Sequence, residues 1–140
     1  MASSIVEVCA AVILRNGRFL LATRRPGSHL AGKWEFPGGK IREGEAPEQC
    51  IRREISEELM ADVEEPRQLF AMSFDYAEHS VNLHFMLCLL PDGVEPRPAE
   101  GQKCAWFSPD ELWNLDMAPA DAAALERILK NKTVADRLNP

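Results

Sequence analysis

The chain has 140 residues, 46% hydrophobic and 27% charged, enough to close one core without disulfide staples and ordinary for a globular chain. Its formal net charge of −6 excludes a long nucleic-acid polymer as partner, because phosphate-backbone binding needs a basic surface; it still admits one small nucleotide. No stretch approaches the roughly 20 apolar residues of a membrane span, so no membrane partner is expected.

Residues 8–14 are apolar but follow Glu7 and lack the basic start of a secretory leader. Cys9, Cys50, Cys88 and Cys104 are scattered and form no C-x-x-C pair. They read as small buried thiols in a reducing compartment rather than zinc ligands or a redox pair. The expectation is a cytoplasmic monomer with a single domain over residues 1–140.

In chain order, residues 5–14 are rich in Val, Ile and Ala and read as a strand. Asn16-Gly17 is a hairpin turn, and residues 18–22 start the returning strand. A loop over 24–32 leads to Trp34-Glu35-Phe36, which alternates, and Pro37-Gly38-Gly39 breaks regular structure. Residues 46–59 are helical, with Pro47 just inside the start and Glu45 beside it. Ile51, Ile55 and Leu59 line the inner side with Cys50 next to them; Gln49, Arg52 and Ser56 face outward.

Residues 68–76 and 81–90 form two further strands around a polar turn at 78–80. A proline-rich loop over 91–101 precedes a short strand at 104–107. Ser108 followed by Pro109 marks a helix start. A second amphipathic helix follows Pro119, with Ala122, Leu125, Ile128 and Leu129 inward, and the polar tail after Lys130 is expected to fray. Strands on both sides of a central helix plus a C-terminal helix predict an α/β fold, a mixed sheet between helices.

The chemistry concentrates between Gly39 and Met60. Glu54, Glu57 and Glu58 fall at i, i+3 and i+4, so they project from one helical face. Carboxylates so crowded repel unless a cation lies between them, and a hard divalent ion such as Mg²⁺ (or Mn²⁺) suits oxygen ligands. Glu57 and Glu58 are the first candidate ligands, with Glu54 as a further ligand or water-activating base. Arg53, four residues before Glu57, can orient a carboxylate. Gly38 and Gly39 allow the backbone to approach the ion, so that a carbonyl completes its shell.

The spacing is regular: Gly39, five residues, Glu45, seven residues, then Arg53-Glu54-Ile55-Ser56-Glu57-Glu58. This resembles the Nudix box, G-x5-E-x7-R-E-U-x-E-E-x-G-U, where U is a bulky aliphatic residue. Met60 and Ala61 depart from it, standing where the box has glycine and the last aliphatic; the exit from the helix is where that departure acts. Beyond the box, Arg24, the run SHLAGKWEFPGGK over 28–40, EGQ from Glu100 and APAD from Ala118 resemble the MutT-type 8-oxo-dGTP diphosphatases and their relatives, the CTP pyrophosphohydrolases.

That resemblance implies a Nudix fold and a Mg²⁺- or Mn²⁺-dependent enzyme that cuts a nucleoside triphosphate to monophosphate and pyrophosphate. An enzyme acting on another nucleoside diphosphate derivative, such as ADP-ribose, is the alternative. By the same resemblance Arg24 contacts the nucleotide and His29 lies near base or phosphates. Glu35, Phe36, Pro37 and Gly38 line the pocket, Phe36 against the base, and Glu100 reaches the metal from a second loop. Asp121 stands where the MutT-type pattern has asparagine, and His79 where it has arginine. An ionised aspartate only accepts hydrogen bonds and suits cytosine's amino group or guanine's N1 and N2 hydrogens, whereas a protonated one serves 8-oxoguanine. A plain helix cap is the third reading of Asp121.

Overall fold

A computed structural model describes residues 4–139; residues 1–3 and 140 of the expected domain lie outside the described residues. The strands are β1 (Ile5–Arg15), β2 (Arg18–Thr23), β3 (Trp34–Glu35), β4 (Gly38–Lys40), β5 (Glu64–Asp75), β6 (Ser80–Leu89) and β7 (Cys104–Phe107). The helices are α1 (Pro47–Leu59), α2 (Pro109–Leu112), α3 (Pro119–Lys130) and α4 (Lys132–Leu138).

β1 organises the sheet. It pairs in parallel with β6 from Ile5↔Ser80 to Ile13↔Cys88, while β5 pairs antiparallel on β6's other edge. The opposite edge of β1 is shared: β4 takes Val8 to Ala10, and β2 closes the hairpin at Leu14 and Arg15. Asn16 and Gly17 both have positive φ, 51° and 73°, as a two-residue hairpin turn requires.

A central strand buried on both faces alternates its apolar side chains between two layers. Ala10 and Val12 face the cluster under α3 and α4, with Phe85, Leu125, Ile128 and Val134. Cys9, Ala11 and Ile13 face α1, with Ile51, Ile55 and Leu59. The result is the expected α/β architecture with helices on both sides of a mixed sheet. No helix of the described residues is long and apolar enough to cross a membrane.

Five local expectations are corrected. Gly38 and Gly39 do not end regular structure; they form β4, because β1 leaves an edge open beside them. β5 begins at Glu64 rather than 68, its pairing continuing past two register shifts, the first of them at Glu65, whose φ is 48°. The tail beyond Lys130 does not fray: Asn131 accepts from Thr133 N and Val134 N and caps α4, and Val134 is buried. On α3 it is Ala124, not Ala122, that turns into the core. Finally, Cys9 and Cys50 are not separate thiols but a disulfide pair joining β1 to α1, which spacing along the chain alone does not reveal.

Met60 shows how the helix exit works without glycine. It ends α1 in the left-handed region (φ 51°, ψ 40°), its N–H donating to Ser56 O. A non-glycine residue there carries strain of about 1–2 kcal/mol.

Candidate active site

α1 starts at Pro47, whose missing N–H costs nothing in the first turn; Gln49 Oε1 accepts the Ala46 N–H at 2.8 Å. The helix packs its Ile51, Ile55 and Leu59 stripe onto the sheet. Glu54, Glu57 and Glu58 thereby face β4 and the cavity beside it.

Arg53 is the hub of this face. It grips Glu45 bidentately, Nε to Oε2 at 2.8 Å and Nη2 to Oε1 at 2.9 Å. Nη1 donates to Glu54 Oε1 at 2.8 Å and to Glu57 Oε2 at 3.4 Å, and Nη2 to Lys40 O at 3.1 Å. Bidentate guanidinium–carboxylate pairs are strong and directional. The hydrogen bond from Arg53, with help from the Arg42 N–H, draws the Glu45 carboxyl down to about 2. Glu45, invisible as a functional residue except through its box spacing, is the anchor that orients Arg53.

Glu58 is different: it is only 7% exposed and its Oε2 has no protein partner. Burial first, then the neighbouring carboxylates Glu35 and Glu54, push its carboxyl up to about 8. A buried acid with one oxygen left without a partner, beside other acids, is suited to a cation.

The two glycines opposite have distinct reasons. A Cβ on Gly39 would meet the Glu54 carboxylate at 2.5–2.6 Å, and one on Gly38 would lie 1.9 Å from Cys9 O. The first glycine makes room for a carboxylate, the second for a strand. Among the described residues no three His, Cys, Asp or Glu side chains already converge as a closed cage, because Arg53 occupies oxygens of Glu54 and Glu57. The donor set is nonetheless all oxygen, and the orphaned Glu58 Oε2 together with the space at Gly39 fits a hard divalent cation.

The cavity in front has a volume of about 610 Å³, within the range of small-ligand sites. Val6, Val8, Val81 and Leu83 give it an apolar wall. Arg24 lies on its rim, Nη1 on Glu35 Oε1 at 2.8 Å and Nε on His29 O at 2.5 Å. Burial raises the Glu35 carboxyl against the pull of Arg24. At the inner end Asp121, 5% exposed, accepts the Phe36 N–H through Oδ2 at 2.9 Å. Burial, then Glu35, lift its carboxyl well above the usual range.

Arg24, His29, Glu35, Gly38, Gly39, Arg53, Glu54, Glu57, Glu58 and Asp121 therefore meet around one cavity. Four expectations fare otherwise, in whole or in part. Phe36 lines the cavity as expected, but its ring is 2% exposed and packs edge-on against Phe19 and Phe85, so the ring belongs to the core rather than lying open to a base. Pro37 is buried behind the wall, its carbonyl accepting from Ala11 N at 2.7 Å. Glu100 is exposed on its loop and does not line the cavity. Nor does Asp121 cap α3: that position belongs to Ala118.

Several lining residues escaped sequence reasoning. Arg25 and Arg42 add positive charge beside Glu58 and Glu57; their only signals were adjacency to Arg24 and an unspecified position inside the box. Tyr76 stacks on His79, centroids 5.7 Å apart, and meets His29 edge-on at 5.3 Å, an aromatic rim assembled from two loops. Gln102 comes in from the loop before β7.

The chain matches the NUDIX domain family over residues 5–128. It is 35% identical over 125 residues to the CTP pyrophosphohydrolase of Escherichia coli (strain K12), covering 89% of this chain and 91% of that one. It is 31% identical over 124 residues to the 8-oxo-dGTP diphosphatase of the same strain, covering 88% and 95%. The crystal structure of a MutT NUDIX hydrolase from Burkholderia pseudomallei is similar with a TM-score of 0.76 at 30% identity, covering 89% of this chain and 98% of that one.

Proposed function

The chain belongs to the Nudix family, and from that premise we propose that it is a Mg²⁺-dependent nucleoside triphosphate pyrophosphohydrolase of the nucleotide-sanitising type, releasing a nucleoside monophosphate and pyrophosphate. The observation that carries this reading is the carboxylate face of α1. Glu54 and Glu57 are ordered by Arg53, and with the buried Glu58 they face two glycines at the edge of a cavity with an apolar wall and a buried aspartate.

When bound, the divalent cation supplies neutralisation of phosphate charge and lowers the pKa of coordinated water. Glu57 and Glu58 would hold it, Glu54 would serve as a further ligand or as the base for the attacking water, and a carbonyl of the Gly38–Gly39 strand would add to the donor set. Arg53 keeps Glu54 and Glu57 at fixed angles. Arg24, itself held by Glu35, contacts the nucleotide; Arg25 and Arg42 offset phosphate charge. Val8, Val81 and Leu83 exclude water from the base, and Asp121 reads its edge.

Burial favours the neutral form of Asp121, and a protonated carboxyl both donates and accepts, as an amide does, which supports an 8-oxoguanine nucleotide. A second reading, a cytidine or modified-cytidine triphosphate, is favoured by the 35% identity to the CTP pyrophosphohydrolase. A hydrolysis screen of common, oxidised and methylated nucleoside triphosphates with Mg²⁺ separates the two, and pyrophosphate release is the expected product. Glu57→Gln and Glu58→Gln are each expected to lower kcat/KM by about 100-fold or more. Wild-type rates in either variant would overturn the ligand assignment.

A further inference from the structure

Gln102 is an outlier among the polar residues of the cavity. It is 8% exposed, and only one half of its amide is used. Its Nε2 donates to Thr23 O at 2.9 Å, while Lys103 N donates to Thr23 Oγ1 at 2.9 Å. Only the NH₂ end of an amide can face a carbonyl, so its orientation is fixed by chemistry and Oε1 must point away from Thr23. That oxygen is buried without a protein partner, and the only other such side-chain atom among the described residues is Glu58 Oε2. The cost of a buried acceptor left without a donor is about 1–3 kcal/mol.

The two orphans are joined by one short loop. Ala99 N donates to Glu58 O at 2.9 Å, and Gln102 N donates to Ala99 O at 3.0 Å. The loop is thus pinned at one end to the helix bearing the carboxylates and at the other to β2. Once Glu58 is ionised, two acceptors lining one cavity cannot serve each other or a phosphate, whose oxygens also accept. A cation with its hydration shell serves both: the metal takes the carboxylate, and a water of its shell donates to the amide oxygen.

From this we infer that Gln102 is a positioning residue for the divalent-cation site, its Oε1 accepting a hydrogen bond from a water in the cation's hydration shell. The inference rests on the metal-dependent reading of the site. It assigns Gln102 work that its neighbour Glu100, exposed on the same loop, does not do in this arrangement.

Mn²⁺ titration of the substrate-free protein, followed by the electron paramagnetic resonance of the free ion, tests it. Gln102→Met keeps the length and removes the acceptor; Gln102→Glu keeps an acceptor at the same place. Both lose the tie to Thr23. The expected result is Mn²⁺ binding about 10-fold weaker in Gln102→Met and equal or tighter in Gln102→Glu, with nucleotide binding in excess EDTA unchanged in both. Equal weakening in the two variants, or no weakening in Gln102→Met, would overturn the inference and leave Gln102 a structural tie. Loss of metal-free nucleotide binding in Gln102→Met but not in Gln102→Glu would also overturn it, assigning the donor to the nucleotide; equal loss in both would likewise overturn it, leaving the tie to Thr23 as the cause. If Gln102→Met does not fold, Gln102→Glu decides alone: weaker Mn²⁺ binding at pH 8 than wild type refutes the role. Absence of Mn²⁺ binding by the wild-type protein would refute the metal-dependent reading itself, a separate outcome.

Discussion

Replacing each of the two adjacent glycines by alanine separates folding from chemistry at this site. Neither has positive φ among the described residues, so backbone strain does not enter and the outcome depends on what the new methyl meets. At Gly38 it meets backbone only: Cys9 O at 1.9 Å, Cys9 C at 2.8 Å and Ala10 Cα at 2.9 Å. No side chain can move aside, so β4 must part from β1 by about 1.1 Å to regain a 3.0 Å contact, which breaks ladder hydrogen bonds.

Two lost bonds at about 1 kcal/mol each, with residual overpacking of about 1 kcal/mol, give a destabilisation of about 3 kcal/mol. For a chain this size that is a Tm lower by roughly 10 °C. At Gly39 the methyl meets only the Glu54 carboxylate, the free end of a flexible side chain. Gly39→Ala is therefore expected to change Tm by less than about 3 °C. It swings Glu54 off Arg53 and lowers kcat/KM by about 100-fold. Thermal unfolding by circular dichroism and steady-state hydrolysis read the two effects. In a Glu54→Ala background Gly39→Ala should cost no further activity, since the partner of the clash is gone. Equal Tm losses in the two single variants, or full activity in Gly39→Ala, would refute the reasoning.

Other outcomes follow from the buried acids and the helix exit. Glu58 is raised to about 8 against an ordinary 4.5, so between those values the folded metal-free protein binds more protons than the unfolded chain. Its stability must fall as pH rises through that window and level off above it. A Tm series in EDTA from pH 5 to 9 should show this decline, shallower in Glu58→Gln; an unchanged slope would refute it, Glu35 and Asp121 contributing the remainder in the same direction. Because burial favours the neutral form of Asp121, Asp121→Asn should keep kcat/KM at pH 7 within roughly threefold, while Asp121→Leu loses about 10- to 100-fold. An Asn variant as poor as the Leu variant would mean that the group works as a carboxylate. Met60→Gly should relieve about 1 kcal/mol of left-handed strain and raise Tm by about 3 °C, as Met60 is 66% exposed and packs little; a lower Tm would contradict that account.

Local chemistry made much of this legible in advance. Asn16-Gly17, Pro47, and Ser108 with Pro109 act within a few residues of themselves, and each sits where its own conformational preference puts it. The carboxylate face was readable for the same reason: helical periodicity alone brings Glu54, Glu57 and Glu58 together. Elements without such local signals were not readable. β4 exists because β1 has a free edge, and α4 because the core has room for Val134.

The sequence by itself determined the helix that bears the acids, the arginine beside them and hence the class of chemistry, since all lie on one continuous segment. Only the tertiary structure decided which acid is buried and unpaired, that Cys9 meets Cys50, that Phe36 belongs to the core, and that Gln102 rather than Glu100 lines the cavity. Burial and orphaned acceptors are properties of what surrounds an atom. Residues distant along the chain supply most of those surroundings, and no local pattern encodes them.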